Sequence, residues 1–249
     1  KSIEFRQEQL PSEQAVVQRC LFIYSDEYKP DEVRKDEYDF ICAPNLQVTP
    51  RSCFAYSLVR KVYMPNMKIA PQNFINNSKL EQIDLPSLEE TGSKSFSYNL
   101  FSIVNLPSLR LTTGRYCFSS NPKLRSFIAM NLHVITQGCF YSCENLQLVI
   151  APKAEVLTDA FKKCFKLETV HVKVIECLCG QCKKCTGQFG GCQRNGEKYM
   201  SQREFSGHMG KYSKFNLNLL NQLCCKNASL SSITKCDAML ITALNLGCE

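Results

Sequence analysis

At 249 residues and 44% apolar, the chain is long enough for one large domain or two ordinary ones and too apolar for a disordered segment. Its net charge of +7 divides into +3 over residues 1–173 (21 Lys and Arg against 18 Asp and Glu) and +4 over 174–249 (9 against 5). Neither part has a dense basic run, so nucleic-acid binding is not indicated, and no stretch approaches the roughly 18 apolar residues of a transmembrane helix. The chain begins at Lys1, and Glu4, Glu8 and Glu13 rule out a signal peptide within the first twenty residues. The missing Met suggests a start that is trimmed or incomplete.

Residues 1–37 read in two ways. Ser12 to Tyr24 fits a helix. Val17, Cys20 and Phe22 fit equally well a decayed copy of the strand pattern that follows, 21 residues before the unit ending at Pro44, with Ile23 in the Pro slot. Either would cap the N-terminal end of what comes next, and the acidic stretch from Asp26 to Asp39 suits an exposed cap.

Residues 38–173 repeat. Phe54, Phe74, Phe96, Phe118, Phe140 and Phe161 recur at intervals of 20, 22, 22, 22 and 21. In step with them runs a pattern of apolar residue, two free positions, apolar, one free position, apolar, then usually Pro. Val59-Arg-Lys-Val62-Tyr-Met64-Pro65 and Leu80-Glu-Gln-Ile83-Asp-Leu85-Pro86 are clear copies. Anchored on that pattern there are seven units, the first ending at Pro44 and the last at Lys173. The residues before Pro alternate in, out, in, as in a strand. Pro then ends the pairing because it has no N–H to donate. A fixed period of this size predicts a solenoid whose units stack on one another.

The details resemble BspA-like leucine-rich repeats of bacterial and protist proteins. The matching stretches include Gly138-Cys139-Phe140-Tyr-Ser-Cys143-Glu-Asn-Leu146 and Asp159-Ala160-Phe161-Lys-Lys-Cys164-Phe-Lys-Leu167. The resemblance implies an α/β-type repeat solenoid of about seven units with a curved parallel sheet. It also implies a non-enzymatic module for protein binding, adhesion or surface contact, with a protein or cell-surface glycan as partner and a secreted or cell-surface location. Met130, Lys173 and Ser95 depart from the pattern in single units.

In a parallel sheet, equivalent residues form columns along one face. One column reads Cys42, Tyr63, Asp84, Asn105, Ile128, Ile150 and His171. Two positions earlier the column reads Phe40, Lys61, Gln82, Ile103, Ser126, Leu148 and Thr169. The expected partner-binding face is Tyr63, Asp84, Asn105, Ile128, Ile150, His171, Ile103 and Leu148, with its isoleucines exposed. His171 has no nucleophile or carboxylate that the sequence places beside it, and no catalytic residue is assigned. Cys53, Cys117 and Cys139 stand directly before the Phe. Cys143 and Cys164 stand three after it, where other units have Ser57, Asn77, Asn99 and Asn121. All five suit packed positions, with Cys139 and Cys143 the pair closest to disulfide reach.

Beyond Lys173 the composition changes. Nine of the 16 cysteines lie in residues 174–249, and Cys179, Cys182 and Cys185 are spaced C-x-x-C-x-x-C, with Cys177 before and Cys192 after. Two-residue gaps let one turn present two thiolates to zinc, and the candidate ligands are Cys179, Cys182, Cys185 and Cys192. The same cysteines, with the scattered Cys224, Cys225, Cys236 and Cys248, also fit disulfides. An iron–sulfur site lacks a companion motif, and a redox dithiol lacks a strand-to-helix setting. Asn216 to Leu223 and Ser229 to Leu246 read as helices. Asn76-Asn77-Ser78 and Asn227-Ala228-Ser229 are glycosylation sequons that count only in an exported protein. The segment therefore reads as a small, partly helical, cysteine-rich module. If it holds zinc, the protein is an intracellular adaptor; a thiol oxidoreductase is the weakest reading.

Overall fold

The structure, a computed structural model, describes residues 14–17, 19–30, 33–202 and 205. The chain forms two compact units, Lys1–Gly196 and Glu197–Glu249. The predicted helices between 216 and 246 and the last four cysteines lie outside the described residues.

The first unit is a parallel-sheet solenoid of about seven turns. Each turn contributes a short strand before its Pro or Pro-equivalent: β3 (Phe40–Cys42), β4 (Lys61–Tyr63), β6 (Gln82–Asp84), β8 (Ile103–Asn105), β10 (Ser126–Ile128), β12 (Leu148–Val156) and β13 (Thr169–Ile175). Adjacent members pair in parallel with the predicted register: Lys61 with Gln82, Ser126 with both Ile103 and Leu148, and Ile150 with His171. The ladder is interrupted between β6 and β8, which fall in different sheets.

A second column of strands lies just past the Pro: β5 (Ile69–Ala70), β7 (Glu90–Thr91), β9 (Leu111–Thr112) and β11 (Val134–Ile135). In the sixth turn the chain does not stop at Pro152. Strand β12 runs on to Val156, and its pairing with β13 shifts register between Ala151 and Glu155, so one strand serves both columns. A bulge lets a strand bend and carry Pro where a regular ladder could not.

The corner opposite the strands carries the phenylalanines. Phe96, Phe118, Phe140 and Phe161 stack at centroid separations of 5.3 to 6.0 Å, all buried. The second turn differs from the sequence reading. Ile75, not Phe74, is bonded in register with Phe54 and Phe96: Phe54 N donates to Phe74 O, and Ile75 N to Ser95 O. The true column is Phe54, Ile75, Phe96, Phe118, Phe140 and Phe161, with intervals of 21, 21, 22, 22 and 21. Phe74 sits one place earlier and still packs edge-on between Phe54 and Phe96.

Two residues of every corner, two before and two after that column, take left-handed backbone conformations, with φ between +50° and +64°. They include Ser52 and Tyr56, Lys94 and Tyr98, and Asp159 and Lys163. An L-residue with a side chain pays roughly 1–2 kcal/mol for that conformation. Here it turns each N–H toward the next turn: Ser52 N reaches Gln72 O at 3.1 Å and Tyr56 N reaches Asn76 O at 3.0 Å.

At the N-terminal end β1 (Gln14–Val17) pairs antiparallel with β2 (Cys20–Ile23), and β2 pairs in parallel with β3. Residues 14–17 and 20–23 are strands, and β2 pairs with β3 one residue out of step with the repeat alignment expected from the sequence. Leu21 and Ile23 are the core residues, while Cys20 and Phe22 stand in the columns of the strand face. With a side-chain period of two, a slip of one residue exchanges the faces. At the other end α1 (Phe189–Met200) begins with Phe189 and Cys192 buried. Among the described residues no helix is long and apolar enough to cross a membrane.

Candidate functional site

Two places in this unit carry chemistry: the strand face and the cysteine turn after β13. The register brings all the predicted face residues into two columns, yet they are not equally accessible. Ile103 is 42% exposed, and Tyr63, Asp84, Asn105, Leu148 and His171 are half-buried. Ile128 (2%) and Ile150 (0%) are buried, against the expectation that they face solvent. Each is flanked across the sheet by its column neighbours, Ile128 by Asn105 and Ile150, and Ile150 by Ile128 and His171. The Nδ1 of His171 is buried without a hydrogen-bond partner among the described residues.

Behind the face, the column three places after the phenylalanines is an internal hydrogen-bond ladder. It contains Ser57, Ser78, Asn99, Asn121, Cys143 and Cys164; the register correction puts Ser78 rather than Asn77 in it. Asn121 Nδ2 donates to Phe118 O at 2.6 Å and Phe96 O at 3.1 Å, and its Oδ1 accepts from Asn99 N at 2.6 Å. Cys143 and Cys164 thiols donate to Phe118 O and Phe140 O, each at 3.1 Å. These cysteines replace Asn as donors and are more than small hydrophobes.

The twelve described cysteines are all free thiols. Burial pushes Cys53 and Cys143 up to about 12 and holds Cys139 and Cys164 well above the ordinary thiol range. Cys139 interacts with Cys117 of the neighbouring turn, whose thiol its hydrogen bond lowers. Such protonated, enclosed thiols are inert. The sequon at Asn76 is likewise enclosed, with Asn76 and Ser78 both buried.

The cysteine turn is different. The sulfurs of Cys177, Cys179, Cys182 and Cys185 all lie within 4.8 Å of one another, a group that could hold a metal ion. Cys182 Sγ and Cys185 Sγ are 3.6 Å apart, and Cys179 Sγ and Cys185 Sγ 3.9 Å. Cys192, the fourth ligand expected from spacing, is elsewhere: it is buried in α1, and its thiol donates to Leu167 O at 3.4 Å. Cys177 takes the fourth place because β13 ends at Ile175, two residues short of it, at the start of the turn. The C-x-C pair of Cys177 and Cys179 was the sequence signal for it.

Backbone amides point at the sulfurs: Asp159 N donates to Cys177 Sγ at 3.4 Å and Gln181 N to Cys179 Sγ at 3.5 Å. Burial alone would raise Cys179, but the Gln181 amide and the thiols of Cys177 and Cys182 outweigh it and lower the group. Burial raises Cys177 and takes Cys182 up to about 12.

Six copies of the BspA type leucine rich repeat region match residues 47–172. No curated protein matches the chain.

Proposed function

Because the chain belongs to the BspA-type leucine-rich repeat family, we propose that it is a non-enzymatic scaffold that binds a protein partner on the strand face of its solenoid. One observation carries this reading. In-register parallel pairing aligns Ile103, Leu148, Tyr63, Asp84, Asn105 and His171 in two columns of mixed apolar, aromatic and polar groups, with Ile103 open to solvent. A repeat array offers such a face as one extended surface, and aromatic and apolar anchors with a polar surround suit protein contact. Adhesion at a cell surface is the narrower form that the family suggests. Ile128 and Ile150 support the face from within and are not contact residues.

A photo-crosslinking residue at position 103, compared with one at Val48 on the second strand column, tests the proposal. Val48 is 64% exposed against 42% for Ile103, so burial would not account for a failure to capture from position 48. Covalent capture of the same protein from position 103 and from position 148, but not from 48, is expected. Equal capture from all three positions refutes the strand face as the binding surface.

The four clustered thiols favour a second reading alongside this one, in which the cysteine turn holds zinc and serves as a second interaction module of an adaptor. Zinc quantification on the purified, reduced chain tests it, and a metal-free protein under those conditions would exclude it.

A further inference from the structure

The end of a solenoid is a problem in hydrogen bonding. In each complete turn the residue two places before the phenylalanine column donates its N–H to the next turn. Tyr116 N reaches Gln137 O at 3.1 Å, and Gly138 N reaches Thr158 O at 3.3 Å. Asp159 holds that position in the last turn, with φ +62°, and no further corner follows it among the described residues. Its N–H is bonded to Cys177 Sγ instead. A sulfur of the cluster thus stands where the missing repeat would have placed a carbonyl.

The helix after the turn completes the substitution. Cys192 Sγ donates to Leu167 O and Asn195 Nδ2 to Glu168 O at 2.9 Å, covering the open edge of the last turn. Asn195 gives Glu168 O the donor that its counterpart Gln147 O takes from Glu168 N inside the array. Gly196 lets the helix backbone lie on β13, since a Cβ there would run into the Val170 carbonyl oxygen.

We propose that Cys177, Cys179, Cys182 and Cys185 bind one zinc ion as a tetrathiolate, and that binding this ion folds the C-terminal cap of the solenoid. The proposal rests on the zinc reading above and adds the ligand set and its consequence. Tetrahedral zinc–thiolate bonds of about 2.3 Å separate the sulfurs by about 3.8 Å. The observed 3.6 and 3.9 Å bracket that value, whereas a disulfide needs about 2.05 Å. A sulfur accepts a backbone N–H more strongly as a thiolate than as a thiol, because the acceptor then carries charge. Zinc ionises all four sulfurs, so it strengthens the Asp159 and Gln181 bonds that tie the turn to the last repeat. Lys183 and Lys184 stand within the turn to offset the charge. Cys192 belongs to the cap and not to the ion.

The test uses the full chain, purified under reducing conditions. Zinc is measured by mass spectrometry of the element, cobalt(II) replaces it to read the number of thiolates from the charge-transfer absorption, and amide exchange is followed with and without zinc. One zinc per chain is expected, with a four-thiolate cobalt spectrum. Removing zinc should speed exchange at least tenfold over residues 177–196 and at Asp159, and leave β4 to β8 unchanged. Cys177→Ser should lose zinc, and Cys192→Ser should retain it. A chain without zinc overturns both this proposal and the zinc reading. Zinc bound with no change in exchange overturns the cap alone and leaves the zinc reading standing. A cobalt spectrum of fewer than four thiolates, or zinc lost in Cys192→Ser and kept in Cys177→Ser, overturns the ligand set. The cobalt spectrum and the exchange data come from the unmodified chain, so they decide the matter even if a variant fails to fold.

Discussion

Asn121 allows the internal ladder to be tested quantitatively. Its side chain is fully buried and satisfies three backbone groups of two turns: Phe118 O, Phe96 O and Asn99 N–H. In Asn121→Ala, Phe118 O keeps the thiol of Cys143 as a donor, so two groups, Phe96 O and Asn99 N–H, lose their partners. A buried backbone group left unpaired costs about 1–3 kcal/mol, which puts the loss at about 2–6 kcal/mol. A water in the vacated space would set the lower bound. In Asn121→Cys the thiol can donate to Phe96 O as Cys143 does to Phe118 O, leaving only Asn99 N–H unpaired, so the loss should be about half as large. Guanidinium unfolding followed by circular dichroism measures both, and amide exchange checks that unfolding is not confined to a few turns. Asn121→Ala within about 1 kcal/mol of the parent, or a Cys variant no more stable than the Ala variant, would refute the ladder as a source of stability.

Three further outcomes are expected. Stability should fall in base: Cys53 and Cys143 are raised from 9.0 to about 12 in the fold. Their contribution is complete below pH 9 and drains as pH rises from 9 to 12, by about 1.4 kcal/mol per thiol per pH unit. Urea melts at pH 8 and 10 should show a smaller drop for Cys53→Ala than for the parent, and equal drops would contradict the assignment. Ile150→Asp should destabilise by more than about 4 kcal/mol, because it buries a charge. Ile103→Asp on the same face should cost no more than about 1 kcal/mol, and thermal melts of the two variants separate these cases. Gly114→Ala places a Cβ against the backbone of Ser93 and should cost about 1–3 kcal/mol by overpacking, read as a lowered midpoint of denaturation.

The period of the chain was legible because stacking repeats must place like residues at like positions, and the inward apolar residues of each strand cannot vary without opening the core. That is why the parallel registers of β3, β4 and β6, and of β8, β10, β12 and β13, follow directly from aligning the segments on Pro. Single-residue offsets were not legible. Phe74 for Ile75 and Cys20 for Leu21 are exchanges between neighbouring apolar residues, and the pattern of apolar and polar letters is nearly the same either way. The left-handed corners were hidden too, since Ser, Asn, Tyr, Lys and Asp hold all of them but the one at Gly138, whereas glycine throughout would have announced them; stacking hydrogen bonds, not the residue's own preference, impose the conformation.

Periodicity and cysteine spacing were enough to read a solenoid of about seven turns, its strand face and a cysteine-rich turn capable of holding metal. Packing between turns is what encloses Ile128 and Ile150, makes Cys143 and Cys164 hydrogen-bond donors, and brings Cys177 rather than Cys192 into the cluster. The physical reason is common to all three. Periodicity says which side of a strand a residue leaves from, whereas burial, donor geometry and ligand sets depend on what the neighbouring turn or the chain end brings against it.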